Sequence, residues 1–93
     1  LLDVLPNNDA PSADRALVLE SLRKEISRIL TILNERERHV IEAFYGINQP
    51  ELSMEEIGEK YGLSRERVRQ IKEKAIRRLR HHTKNKMLKS YLG

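Results

Sequence analysis

The chain has 93 residues, the length of a single domain, and with 39% hydrophobic residues, 4% aromatic and no Trp it can bury only a modest core. The absence of Cys excludes disulfides and thiolate metal sites and fits a reducing cytoplasm, and no apolar run approaches a membrane span or a secretory signal. The formal charge of +4 is unevenly spread: residues 1–50 carry 6 basic and 8 acidic groups, residues 51–93 carry 12 and 6, and residues 64–89 carry 11 and 2. Such a basic stretch is an electrostatic footprint for a polyanion, and on charge alone DNA, RNA or an anionic membrane would fit.

The chain begins at Leu1 without Met, which points to a piece of a longer protein. Residues 1–11, LLDVLPNNDAP, mix two prolines with an Asn-Asn-Asp cluster and read as an extended connector that frays on its own. From Ser12 or Asp14 to about Leu33 the apolar residues Leu19, Leu22, Ile26, Ile29, Leu30 and Leu33 recur at spacings of three and four, predicting an amphipathic helix. Asn34 with Glu37 forms a capping box that launches a second helix, with Val40, Ile41 and Phe44 facing inward and Gly46 just past its end. The short connection predicts an antiparallel hairpin of these two helices. NQPEL, containing Pro50, reads as a loop.

Ser53 to about Leu79 is the stretch that the remainder supports. Ser53 and Glu56 make a second capping box, starting a short helix that buries Ile57 and Tyr61 around a small Gly58. Gly62 ends it, because glycine takes the left-handed conformation without a Cβ penalty, and Leu63 fills the turn. Ser64 then caps another helix. With Val68 at 0° and 100° per residue, Ile71 falls at about 300°, Ala75 at about 340° and Leu79 at about 20°, a single apolar stripe for the core.

Glu66, Arg69, Gln70, Glu73, Arg77 and Arg80 occupy the opposite face, flanked by Arg65, Arg67 and Lys74. Arg pairs bidentately with guanine, Gln with adenine, and Glu accepts from the cytosine amino group; in a helix-turn-helix the leading end of the second helix reaches them. Arg65, Glu66, Arg69 and Gln70 stand at that end. A plain solvated face is the alternative, but Arg65, Arg67 and Arg69 crowd the positive end of the helix dipole, where each cation costs about a few tenths of a kcal/mol. That cost is reasonable where a polyanion repays it.

Past Leu79 the signals weaken: HHTKNKMLKSYLG either frays or folds a last turn with Met87, Leu88, Tyr91 and Leu92 against the core. His81 and His82 are adjacent, so they diverge by about 100° on a helix, and with no Cys and no nearby third His they make a poor metal site; no metal and no cofactor is expected. The expected fold is all-α, a four-helix domain over residues 12–93 with a C-terminal helix-turn-helix. No nucleophile–base pair, phosphate loop or metal cluster is evident, so an enzyme is not expected. A helical interaction module whose basic face binds acidic proteins is the rival from another class, and the helix-turn-helix of a different regulator the rival from the same one. The interruption at Gly62 and Ser64 speaks against an amphipathic membrane helix.

SRERVRQIKEKAIRRLR, with LNERERHVIEAFYGI and SMEEIGEKYGLS before it and MLKSYLG after it, closely resembles the fourth domain (region 4) of primary bacterial sigma factors, over essentially the whole chain. The resemblance implies recognition of the −35 promoter element within RNA polymerase holoenzyme, with Arg65, Glu66, Arg69 and Gln70 reading bases and Arg36, Ser53, Arg67 and Lys74 near phosphates. It also implies docking of the first two helices on the flap of the polymerase β subunit, residues 1–11 as the end of a connector, and a place in the bacterial cytoplasm at the nucleoid. Activators and anti-sigma factors are further implied partners, with Arg77, Arg78 and Arg80 serving regulators or flanking phosphates. Two features depart from the family's pattern: Phe44 stands where many relatives carry a phosphate-contacting Arg, and the NQPEL loop is one residue shorter than in some relatives.

Overall fold

The computed structural model describes residues 12–93, so the connector expected over residues 1–11 lies outside the described residues. The described chain is all-helical: α1 (Ser12–Ile29), a 3-10 turn (Leu30–Ile32), α2 (Glu35–Tyr45), α3 (Met54–Tyr61), α4 (Arg65–His82) and α5 (Lys86–Leu92). The first helix thus stops short of Leu33 as an α-helix. Its last turn tightens, with Leu33 N–H donating to Leu30 O at 3.0 Å, because Leu33 must be extended (φ −92°, ψ 153°) to lead into the next cap.

Both expected capping boxes are formed. Asn34 Oδ1 accepts from Glu37 N at 2.8 Å while Glu37 Oε1 accepts from Asn34 N at 3.2 Å, and Ser53 and Glu56 repeat the exchange at 3.2 and 2.8 Å. Gly46 closes α2 at φ 67° and Gly62 closes α3 at φ 70°, both left-handed. The short loop between α2 and α3 turns with the help of Asn48, at φ 60°, a residue type that tolerates this conformation.

Two clusters of buried side chains meet along α2 and α4. Val40 and Ala43 of α2, Ile57 of α3 and Val68 and Ile71 of α4 form one, which fixes the helix-turn-helix. Leu22 and Ile26 of α1, Ile41 and Tyr45 of α2, Ala75 and Leu79 of α4, and Leu88 and Leu92 of α5 belong to the other. The stripe of α1 therefore inserts among three helices instead of pairing with α2 alone. Phe44 touches both clusters and lies half-buried, with Lys72 Nζ 4.7 Å from its ring centroid, so a packing role accounts for an aromatic at this position.

Four α-helices are expected from the sequence and five are found among the described residues, the addition being α5, the docked outcome for the C-terminal stretch. Asn85 caps it, accepting from Met87 N at 2.9 Å and Leu88 N at 3.2 Å. Leu88 and Leu92 are buried, and Tyr45 Oη donates to Leu92 O at 3.2 Å across 47 residues of sequence. Glu25 of α1 holds the preceding turn by accepting from Asn85 Nδ2 at 2.8 Å and Thr83 Oγ1 at 3.3 Å. Seven residues are too few to be helical alone in water, so these tertiary contacts maintain α5.

Candidate nucleic-acid interface

Three devices set the angle between α3 and α4. Ser64 Oγ accepts from Arg67 N at 3.1 Å and so caps α4, which starts two residues after Leu63. Leu63 N–H donates to Gly58 O at 2.8 Å, folding the turn back on α3. Gly58 permits that approach: a Cβ at this position would stand 2.5 Å from the Leu63 carbonyl oxygen. Behind the turn Val68, Ala75 and Leu79 are fully buried and Ile71 nearly so, which leaves the other face of α4 to solvent.

On that face three of the four expected base readers, Glu66, Arg69 and Gln70, form one connected array, and Arg65 stands beside it without joining its hydrogen bonds. Glu66 grips Arg69 with both carboxylate oxygens, at 2.9 Å from Nε and 2.5 Å from Nη2, and Glu73 accepts from Arg69 Nη1 at 2.8 Å. Gln70 donates to Glu66 Oε2 and accepts from Arg67 Nη1, both at 3.4 Å. Arg65, Glu66 and Gln70 are exposed and Arg69 is half-buried. The hydrogen bonds from Arg69 hold the Glu66 carboxyl below the usual carboxylate range, and the two carboxylates push the Arg69 guanidinium above its ordinary value, so the charged forms of Glu66 and Arg69 favour each other. Glu66 in the first turn also offsets part of the repulsion between the arginines and the helix dipole.

The residues expected near phosphates divide. Arg36 of α2 and Arg67 and Lys74 of α4 come together around a cavity of about 100 Å³, which Asn34, Glu37, Gln70 and Ile71 complete. Ser53 is exposed at the start of α3, where its hydroxyl caps the helix, and does not line this cavity. Arg36, Arg67 and Lys74 thus present three side-chain cations at one edge of the reading face, drawn from two helices.

Arg77, Arg78 and Arg80 also separate. Arg77 and Arg80 line a cavity of about 310 Å³ with His81 and with Lys89 of α5, a wholly basic surface. Arg78 instead reaches across to α2, where Nη1 donates to Glu37 Oε1 at 2.6 Å and Nη2 to Ile32 O at 2.8 Å. Glu37 is 3% exposed and its Oε2 is buried with no hydrogen-bond partner among the described residues. A buried carboxylate needs a counter-charge, so Arg78 is engaged in fixing α4 to the start of α2. The sequence carried a signal for the Arg69 array, in the three- and four-residue spacings to Glu66 and Glu73. It carried none for the Arg78–Glu37 pair, 41 residues apart.

The stacked caps, the left-handed glycine, the close approach at Gly58 and the exposed basic second helix define a helix-turn-helix domain. The family model described as sigma-70, region 4 matches residues 29–81, and the chain belongs to that family. It is similar to RNA polymerase sigma factor SigA of Clostridium acetobutylicum, 36% identical over 97% of this chain and 24% of the relative. SigA1 of Synechococcus elongatus is 36% identical over 90% of the chain and 21% of its own length, and SigA of a Nostoc species 42% identical over 76% and 18%. The chain spans about a quarter or less of these relatives. No solved structure matches it.

Proposed function

We propose that this domain recognises the −35 promoter element during transcription initiation, as part of RNA polymerase holoenzyme and docked on the β-subunit flap. The N-terminal half of α4 enters the major groove: Arg65, Glu66, Arg69 and Gln70 meet base edges, while Arg36, Ser53, Arg67 and Lys74 take backbone phosphates. The domain acts by positioning, carries out no reaction of its own and needs no cofactor. Its working place is the bacterial cytoplasm at the nucleoid, and the Arg77 and Arg80 surface meets flanking phosphates or the activators and anti-sigma factors that regulate it.

The observation that carries this reading is the exposed array on α4 beside the three-cation edge, hydrogen-bonding side chains next to charges that have no sequence preference of their own. A lone helix-turn-helix buries only about 600–1,000 Å² on DNA, and a second half-site is what a dimer would add. Polymerase supplies the missing anchoring here. The test is competition at fixed salt, with holoenzyme containing this domain, between duplex bearing a −35-like hexamer and scrambled duplex. The hexamer should compete at least tenfold better, about 1.4 kcal/mol. Equal competition, or displacement by an acidic protein alone, would favour a basic protein-interaction module.

A further inference from the structure

We propose that Glu73 is a specificity-determining residue of the reading helix, acting through Arg69 as a positioning residue; the inference rests on the function proposed above. A guanidinium has five N–H donors. Glu66 takes one on Nε and one on Nη2, and Glu73 takes one on Nη1. Two remain, one on each terminal nitrogen, and two is the number that a bidentate contact with guanine O6 and N7 requires. Glu66 alone leaves Arg69 braced along one edge. Glu73 braces it from one turn further along α4, so the side chain meets DNA with its rotamer already selected, and less freedom is lost on binding.

A carboxylate on the edge of a DNA-reading face otherwise works against the domain. Residues 64–89 carry 11 basic groups and only two acidic ones, and both acids are bound to this one arginine. Helix stabilisation is a weak reason for Glu73, because an acid four residues after its basic partner is the less favourable order. Charge balance is equally weak, since a negative group here repels phosphates and lowers affinity for every sequence alike. Bracing Arg69 is the role that would turn that loss into discrimination.

The experiment uses holoenzyme carrying this domain in four forms, the parent, Glu73→Ala, Glu73→Gln and Arg69→Ala, titrated with the hexamer duplex, its single-base variants and a scrambled duplex. Glu73→Ala keeps an exposed helical position helical, so folding is preserved. Its discrimination should fall by roughly three- to tenfold, the range for one freed side chain, and only at the base position that Arg69→Ala also flattens. Binding to scrambled duplex should rise. Glu73→Gln, which keeps the acceptor and loses the charge, should share the rise and retain most of the discrimination. A uniform rise over all duplexes, equal for Ala and Gln, would overturn the inference while leaving the proposed function intact. Absence of hexamer preference in the parent would overturn both.

Discussion

An alanine at Gly58 sets two physical effects of opposite sign against each other. In an exposed helix interior the change would stabilise by about 0.8–1.0 kcal/mol, because glycine loses the most backbone freedom on folding. Here the new Cβ would lie 2.5 Å from Leu63 O, 3.5 Å from Leu63 C and 3.7 Å from Ser64 C. All three are backbone atoms and cannot rotate away. They are tied by the 2.8 Å bond from Leu63 N to Gly58 O and by the cap at Ser64. Relief therefore requires the turn to move off α3 by about 1 Å. Overpacking of this kind costs about 1–3 kcal/mol, and weakening the turn's hydrogen bond adds about 0.5–1.5 kcal/mol. The net expectation is a loss of about 1–3 kcal/mol, or roughly 5–20 °C in melting temperature for a domain of this size. Far-UV circular dichroism melting of the Gly58→Ala domain against the parent measures it. Because the displaced turn carries the start of α4, hexamer discrimination should also fall at temperatures where the variant is folded. A melting temperature equal to or above that of the parent would refute the packing argument and leave propensity as the winner.

Other substitutions separate backbone, ionic and titration effects. Gly62 has a φ of 70° and open space around a would-be Cβ, so Gly62→Val should cost about 1–3 kcal/mol through backbone strain alone, and Gly62→Asn much less; equal melting temperatures for the two would contradict this. Arg78→Ala leaves the buried Glu37 carboxylate without its counter-charge and should cost about 1–3 kcal/mol, whereas Arg77→Ala should leave melting unchanged and weaken DNA binding without altering base preference inside the hexamer. The Tyr45 hydroxyl is pushed up from 10.0 to about 12 by burial and then by Tyr91, so its neutral form is favoured in the fold. That stabilisation is full below pH 10 and is lost as pH rises towards 12, where the unfolded chain ionises first. Thermal melts across this window should show a falling limb that Tyr45→Phe flattens, and an unchanged limb would sink the assignment.

Local signals announced most of the helix-turn-helix. Asn34 with Glu37, Ser53 with Glu56, Ser64, Gly46 and Gly62 act within a few residues of themselves, so their caps and turns were legible and are found where expected. The stripe of Val68, Ile71, Ala75 and Leu79 was legible for the same reason. Contacts made at long range were not. For α5 the local sequence does not decide between fraying and docking, because its burial depends on Tyr45 and Glu25, far back in the chain. By sequence alone Arg78 is equivalent to Arg77 and Arg80, and only the fold brings Glu37 to it. Gly58 read as a small residue between two larger ones, and the carbonyl that demands it comes from the folded-back turn. Among the site residues, helical spacing grouped Glu66, Arg69 and Gln70, while the meeting of Arg36 with Arg67 and Lys74 required the packing of α2 on α4.

The orientation of α4 in the groove is tested most directly by Gln70→Ala and Lys74→Ala, compared in holoenzyme over a salt series and the single-base variants of the hexamer. Gln70 is uncharged, so it adds little to counterion release, and its contribution must come from hydrogen bonds to a base edge, about 1–3 kcal/mol of discrimination. Lys74 is a point charge on a flexible stem beside Arg36 and Arg67, suited to a phosphate oxygen and blind to sequence. Gln70→Ala should flatten preference at one or two base positions and leave the salt slope as it was. Lys74→Ala should weaken all duplexes alike and reduce the slope by about one unit. The reverse pattern, or a uniform loss of affinity in both variants, would contradict the placement of this helix on DNA.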